Sequence, residues 1–459
     1  MSYDKNYSSW KNNPVLFWEE KAKNIDWFKP WKKTLEEKES SSWSWFTGGS
    51  LNTCYNCIDR HIKRGKGDKV AIIFDSPITN YKNKITYNEL YLKVSSLAAS
   101  LENQGVTKGD RVILYMPMIP EVIVSMLACA RIGAIHSVVF GGFASKELAS
   151  RIEDVTPKVI ISASCGLEPN KIIDYKKILD ESIAISNHKP LTQIIYQRKE
   201  KECLLNMPGD ISWNDFIDQK KSIDCLPVDS NDPLYILHTS GTTGTPKGIV
   251  RTNGGHAVAL YNSMKMTYDI TENDVFWAAS DVGWVVGHSY IVYAPLLIGC
   301  TTVLYEGKPV GTPDAGQFWR IISEYNVSSM FTAPTAIRAI KKEDPDGNKL
   351  KKYDLSSLKY IFLAGERADP ESIKWTMDMT KKPVIDHWWQ TETGWSIAGN
   401  FPEYGIFDIL YGSTGKPAPG YSLEVLNEEG EAVPIESMGN LVIQLPLPPG
   451  RSSAIWNDN

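Results

Sequence analysis

The 459-residue chain has no excess of positive charge: 49 Lys and Arg stand against 54 Asp and Glu, a net charge of −5. A basic surface able to hold nucleic acid is therefore not expected. An anionic ligand would have to be met by local charge rather than by a global field. No hydrophobic run reads as a membrane span. The most apolar stretch, residues 122–140, is interrupted by Arg131 and His136 and contains a helix-to-strand switch. Cysteine is scarce and dispersed, with seven residues at 54, 57, 129, 165, 203, 225 and 300. An odd, scattered set argues against a disulfide scaffold and for reduced thiols. One Cys54-x-x-Cys57 pair with His61 nearby does not complete a tetrahedral zinc site, and no second pair follows at finger spacing. The N-terminus lacks a charged-then-apolar signal and an Arg/Ser-rich transit pattern. A cytoplasmic location is expected, or the mitochondrial matrix if the N-terminus is incomplete. Internal repeats and low-complexity tracts are also missing.

What is present is ordinary globular material, 42% hydrophobic and 22% charged, in a chain long enough to split into two or more subdomains. Residues 1–60 differ from the rest. Trp10, Trp18, Trp27, Trp31, Trp43 and Trp45 lie there among charges, which suits a short helical and irregular cover held by aromatic anchors. A carbohydrate-binding face would need a regularity these residues do not have. From residue 69 the pattern alternates. Apolar runs at 70–74, 112–115, 134–140 and 159–162 read as strands. Helices are expected at 87–101 behind a Thr86 cap, from Pro120 to Ala130, and from a Ser145 cap to Ile152. Residues 195–232 are polar and less regular. Further strands are expected near 275–278, 302–305, 329–333, 360–364 and 384–386. Short apolar strands alternating with helices imply an α/β fold with parallel sheets covered on both faces. After Thr414 the period becomes two, which predicts a small antiparallel barrel or sheet around 422–426 and 441–445.

The most informative stretch begins at Tyr235. An apolar run empties into a loop carrying Gly241, Gly244 and Gly248, hydroxyls at Thr239, Ser240, Thr242 and Thr243, and Lys247. Glycine lets the main chain approach phosphate oxygens closely, and lysine adds a point charge. This is not the Walker pattern, because Pro246 precedes the lysine and Gly248 follows it. The loop resembles the phosphate-binding motif of the adenylate-forming enzymes, which include acyl-CoA synthetases, luciferases and peptide-synthetase adenylation domains. Other segments extend the resemblance over nearly the whole chain: 54–61, 140–143, 279–290, 305–315, 331–338, 363–367 and 386–394. They are most similar to short-chain acyl-CoA synthetases, especially the propionate–CoA ligase branch.

The resemblance implies the large N-terminal domain of the adenylate-forming fold at 61–459, with two parallel-sheet subdomains and the small antiparallel unit. Residues 1–60 correspond to the N-terminal extension of acetyl- and propionyl-CoA synthetases. It implies ATP, Mg²⁺ and coenzyme A as cofactor and co-substrates, and a short acid, propionate or acetate, as substrate. Neither a membrane nor nucleic acid is an implied partner, and the oligomeric state stays open. Thr239, Ser240, Gly241, Thr242, Thr243, Gly244 and Lys247 would grip phosphate. Asp386, His387, Trp388, Trp389, Gln390 and Thr391 would surround the nucleotide, with Thr391 near the α-phosphate and Glu392 as the Mg²⁺ carboxylate. The backbone of Gly365, Glu366 and Arg367 would meet adenine, although Arg367 stands where most acetate enzymes have proline. Lys247, Thr391 and Glu392 are thus the implied catalytic set.

By the same resemblance Val285, Val286, Ala364 and Trp389 wall the acyl pocket, with Val286 also near the pantetheine channel. Ala364 stands where acetate enzymes typically carry valine, which makes room for about one more carbon and predicts propionate over acetate. Glu168, Pro169, Asn170 and Lys171 are candidate coenzyme A contacts, or equally an exposed turn. His238 and His288 have no obvious carboxylate or serine partner in sequence and are expected to be structural. Family members continue beyond this point into a small C-terminal domain carrying a catalytic lysine, and nothing here matches it. The expectations are therefore a truncated ligase, a non-catalytic nucleotide-binding remnant, or a second half supplied by another chain.

Overall fold

A computed structural model describes residues 2–38, 42–239, 246–452 and 454–458. Two large sheets organise the chain, and both are mostly parallel. The first runs in the spatial order Asp210–Ser212, Thr192–Tyr196, Val159–Ala163, Arg111–Tyr115, Ile135–Val138, Pro233–Thr239, Lys247–Thr252 and Ala454–Ile455. The first six strands are parallel and the last two antiparallel. The second sheet runs Val384–Asp386, Tyr360–Leu363, Ser329–Thr332, Val275–Ala278, Thr301–Tyr305, Val70–Ser76 and Tyr81–Thr86. Only its last pair is antiparallel. The central strands Ile135–Val138, Val159–Ala163 and Thr301–Tyr305 are buried at every residue, as parallel pairing under helices on both faces requires.

The two sheets interleave along the chain. Val70–Ser76 and Tyr81–Thr86 precede the first sheet in sequence yet belong to the second. The following helix, Tyr87–Asn103, starts on a full capping box in which Thr86 and Glu89 each satisfy the other's backbone N–H. Helix Ser145–Val155 starts one residue earlier than expected: Ala144 is its cap, and Ser145 donates instead to Glu181 at 2.6 Å.

The N-terminal segment is more regular than the sequence predicts. Helices Tyr3–Asn12 and Pro14–Ala22 lead into an antiparallel pair, Lys33–Lys38 against Ser42–Thr47. Its aromatics do act as anchors. Trp18 and Trp45 are buried, Trp45 Nε1 donates to the Leu447 carbonyl at 3.0 Å, and the Tyr3 hydroxyl donates to that of Pro417 at 2.8 Å. The antiparallel region after Thr414 is a two-stranded sheet, Leu423–Leu426 against Asn440–Ile443; no closed barrel forms among the described residues.

Five of the seven histidines are buried and held neutral. Burial pushes His61 down to about 3 and His288 and His387 to about 4, and drives His136 and His256 well below the usual range. In the unfolded chain these rings titrate near 6.5. Between about pH 6.5 and pH 4 the unfolded state thus binds protons that the folded state refuses, and stability falls as pH falls. Asp386, raised to about 6 by burial, acts in the opposite direction, as do Glu121, Asp180, Asp269 and Asp281, whose carboxyls burial also raises; the histidines outweigh them because His136 and His256 are driven well below their usual range. We expect the urea midpoint to drop steadily from pH 7 to pH 4.5. The slope should be shallower in a His288→Gln variant, and a midpoint independent of pH over that window would refute this assignment.

Candidate active site

Parallel α/β sheets present ligand-binding loops beyond the carboxyl ends of their strands. Here the ends of both sheets meet around one cavity of about 650 Å³. Thr239 comes from the first sheet. Ser280, Phe331 to Ala333, Ala364 with Gly365, and Trp389 to Glu392 follow successive strands of the second. Val285 and Val286 complete the wall just before a π-helical turn at Gly287–Tyr293. That turn packs tightly. A Cβ at Gly287 would lie 2.3 Å from the Asp281 carbonyl oxygen, so no larger residue fits there. Tyr290 and Phe331 hold the Trp389 indole, with ring centroids at 5.3 and 6.1 Å. The four residues expected to wall an acyl pocket therefore line a single space.

Thr239 pairs across an antiparallel ladder with Lys247. Ser240, Gly241, Thr242, Thr243 and Gly244 lie outside the described residues. Lys247 opens a strand rather than ending a loop, and its ammonium makes no hydrogen bond or ion pair among the described residues.

Arg251, on the same strand, is fully buried. Its guanidinium donates to the carbonyls of Glu392 at 3.1 Å, Gly450 at 2.5 Å and Thr391, while Nε donates to the Tyr235 hydroxyl at 3.2 Å. Ser452 N donates to the Glu392 carbonyl at 2.7 Å, and Ser289 Oγ to that of Gly394 at 2.8 Å. The main chain of Thr391 and Glu392 is thus fixed from one side, and both residues line the cavity. Gly394, at φ +76°, leaves room for the clamp, since a Cβ there would meet Arg251 Cζ at 2.9 Å. The sequence signal for Arg251 was an arginine closing the apolar run Ile249-Val250, and it was missed. The Glu392 carboxylate is exposed and makes no hydrogen bond or ion pair among the described residues.

The remaining candidates divide. Gly365 lines the cavity, but the Glu366 carboxylate is turned to Arg338 at 2.8 and 2.9 Å, and Arg367 is exposed away from the lining. Asp386 borders a separate cavity of about 170 Å³ with Asn400 and Lys416. The His387 ring does not reach the cavity. It sits in the core between the Leu363 carbonyl at 2.7 Å and the Tyr268 hydroxyl at 2.9 Å. Trp388 is also absent from the lining and pairs through its backbone with Ala398.

A second cavity of about 480 Å³ adjoins the first, and Ser280 and Trp284 line both. Glu168 reaches this second cavity and ion-pairs with Lys308 at 3.6 Å. Pro169 and Asn170 form the exposed tip of a hairpin between Cys165–Glu168 and Lys171–Asp174, and Lys171 is exposed beside it. Val286 borders the first cavity and not the second.

The two histidines of interest differ from each other. His288 is structural, as expected: its ring packs on Tyr235 at 4.6 Å and bonds the Trp284 carbonyl at 3.1 Å. His238 has the carboxylate partner that was not visible in sequence, Asp154 at 2.7 Å, supplied by the helix Ser145–Val155. The Cys54-x-x-Cys57 pair makes no site with His61, whose Nε2 bonds the Leu296 carbonyl at 2.8 Å.

A family model described as AMP-binding enzyme matches residues 58–447, and one described as acetyl-coenzyme A synthetase N-terminus matches residues 3–57. The chain belongs to the AMP-binding enzyme family. It is 51% identical over 458 residues to acyl-CoA synthetase short-chain family member 3, mitochondrial, of Homo sapiens, which covers 99% of this chain and 67% of that relative. It is 43% identical over 462 residues to propionate–CoA ligase of Salmonella typhimurium, covering 100% of this chain and 73% of the relative. It is also 49% identical over 461 residues to an uncharacterised protein of Pseudomonas aeruginosa.

For a member of this family, the Arg251 clamp should matter to nucleotide binding. Arg251→Met leaves the Gly450 and Thr391 carbonyls without their donor and takes one of two from Glu392, which keeps Ser452 N, a loss of about 3 kcal/mol in stability. It should also weaken AMP binding about tenfold, measured by calorimetry on folded material. Unchanged AMP affinity would show that the clamp does not position Thr391 and Glu392.

Proposed function

We propose that this chain binds ATP and a short-chain carboxylate side by side and serves an AMP-forming acid–thiol ligation, with propionate as the preferred acid. The observation that carries this reading is one cavity walled on one side by Val285, Val286, Ala364 and Trp389 and on the other by Thr239, Thr391 and Glu392. Its volume falls in the usual range for small-molecule sites. The adjoining cavity, reached past Ser280 and Trp284, offers a path for a thiol.

In the first step a carboxylate oxygen attacks the α-phosphorus, and the bond to the β-phosphate bridging oxygen breaks. The products are acyl-adenylate and pyrophosphate. In the second step the coenzyme A sulfur attacks the acyl carbon, AMP leaves, and the thiol proton goes to solvent. Both steps concentrate negative charge, so fixed donors and proximity supply most of the acceleration. Lys247, whose ammonium makes no ion pair among the described residues, would meet the charge that develops on pyrophosphate. The Arg251 clamp holds the Thr391 hydroxyl and the Glu392 carboxylate toward the reacting phosphate. Glu392, with the neighbouring hydroxyls of Thr239 and Thr391, is an all-oxygen donor set that suits Mg²⁺, a hard cation that needs only one or two protein carboxylates. When bound, Mg²⁺ would offset phosphate charge.

The pocket argument for propionate is steric. Ala364 is only 5% exposed and faces the cavity, so two added methyl groups would occupy substrate space. We assign the activity to a reducing compartment, consistent with seven free cysteines. Cytoplasm and mitochondrial matrix both qualify, and the human relative's name includes the word mitochondrial.

The test is ATP–pyrophosphate exchange with acetate, propionate and butyrate, run on this chain and on the chain extended to the length of its relatives. Propionate should give the fastest exchange. Ala364→Val should shift the propionate-to-acetate ratio toward acetate by about tenfold. An unchanged ratio would discard Ala364 as the size determinant. Exchange with none of the acids, despite MgATP binding, would leave a nucleotide-binding protein without this activity. Glu392→Gln should lower exchange by about 100-fold and raise the Mg²⁺ concentration needed for half-maximal rate. An unaltered Mg²⁺ dependence would remove Glu392 from the metal role.

A further inference from the structure

Away from both cavities, the fold brings together two cysteines that are 171 positions apart in sequence. The sulfurs of Cys54 and Cys225 and a carboxylate oxygen of Asp59 lie within 4.8 Å of one another. Cys54 is buried in the first turn of the short helix Thr53–Cys57, and Cys225 is half-buried in a stretch without helix or strand between Phe216 and Val228. The Arg131 guanidinium lies over the pair. It holds the Asp59 carboxylate at 2.8 and 2.9 Å and donates to Cys54 Sγ at 3.6 Å. Cys225 Sγ lies 3.6 Å from the same carboxylate.

Three further contacts fix the segments against each other. Asn52 donates to the Leu226 carbonyl at 2.8 Å and to the Ala130 carbonyl at 2.9 Å, and Arg131 Nε donates to the Ile223 carbonyl at 2.6 Å. Cys225 opens onto a groove of about 500 Å³ between Phe28, Tyr55, Tyr91 and Lys63, which admits a small solute. A metal ion is the poorer occupant. It would meet the Arg131 charge and compete with a bidentate ion pair already satisfied on both oxygens. Cys57 is not part of the cluster, since its sulfur faces the Tyr293 carbonyl at 4.0 Å.

We propose that Cys225 and Cys54 form a redox pair that closes a disulfide on reaction with a small peroxide entering this groove. The Cys225 thiol gives its proton to the Asp59 carboxylate that it faces at 3.6 Å as its sulfur attacks one peroxide oxygen; the O–O bond breaks, the departing oxygen takes that proton and leaves as water, and the sulfenic acid remains. Cys54 sulfur then attacks Cys225 sulfur, the S–O bond breaks, and a second water leaves with the Cys54 proton. Two thiols lose two electrons and one hydrogen peroxide becomes two waters. Arg131 favours the second step by placing positive charge beside the attacking sulfur. Closing the sulfurs to bonding distance would strain at most the hydrogen bonds at Ile223 and Leu226, because the stretch that carries Cys225 belongs to no sheet. The resulting crosslink staples the N-terminal segment to the strand-free connection after Phe216. It involves none of the residues lining the two ligand cavities, so it stands or falls apart from the ligase reading.

The test is peptide mapping of the full chain under non-reducing conditions after treatment with hydrogen peroxide. A peptide carrying Cys54 should be joined to one carrying Cys225, two hydrogens lighter than the sum, and a thiol reductant should separate them. The oxidised chain should melt about 3 °C or more above the reduced one, because the link constrains a long unfolded loop. In Cys225→Ser, peroxide should leave Cys54 reduced. A link between Cys54 and Cys57, overoxidation of Cys225 without a link, or no reaction at either sulfur would each overturn the proposal.

Discussion

The buried guanidinium of Arg251 is the interaction on which the site depends. A charge taken out of water must find several acceptors, and here they are main-chain carbonyls of Thr391, Glu392 and Gly450. The strand that carries Arg251 belongs to the first sheet, whereas Thr391 and Glu392 follow the last strand of the second. One side chain therefore locks the loops of two sheets into register. Without such a tie, two sheets offering residues to one cavity would hold their geometry only through the softer packing of side chains.

The apolar wall is supported in a similar layered way. Trp389 does not stand alone: Tyr290 from the π-helical turn and Phe331 at a strand end confine its indole. The same turn carries Ser289, which bonds the Gly394 carbonyl in the loop after Glu392. A widened helical turn is costly to maintain and tends to persist where it positions something. Here it joins the apolar wall at Trp389 to the loop that carries Thr391 and Glu392, so a change in one is felt by the other.

Much of this was legible in the sequence where the cause is local. Continuous apolar runs such as Val159–Ala163 and Thr301–Tyr305 announced buried parallel strands, and Thr86 with Glu89 announced a helix start. The edge strands were not legible. Tyr81–Thr86 reads Tyr-Lys-Asn-Lys-Ile-Thr and lacks alternation because one face and one edge meet water. Lys33–Lys38 failed for the same reason, and the tryptophans of its partner strand looked like anchors alone. Long-range pairs were invisible on principle. Nothing near His238 points to Asp154, and nothing near Cys54 points to Cys225, because only the fold makes them neighbours. For His387 the resemblance implies a place around the nucleotide, but its own ring turns inward to the core.

The interleaved order of the two sheets has a consequence for biosynthesis. Val70–Ser76 is an apolar strand whose parallel partner is Thr301–Tyr305. At ordinary elongation rates the ribosome delivers that partner about 10 to 50 s later. Throughout that interval the early strand has only Tyr81–Thr86 as a hydrogen-bonding neighbour and no sheet to enter. Until residues 301–305 emerge, the apolar strand keeps one edge unpaired and the second sheet cannot close.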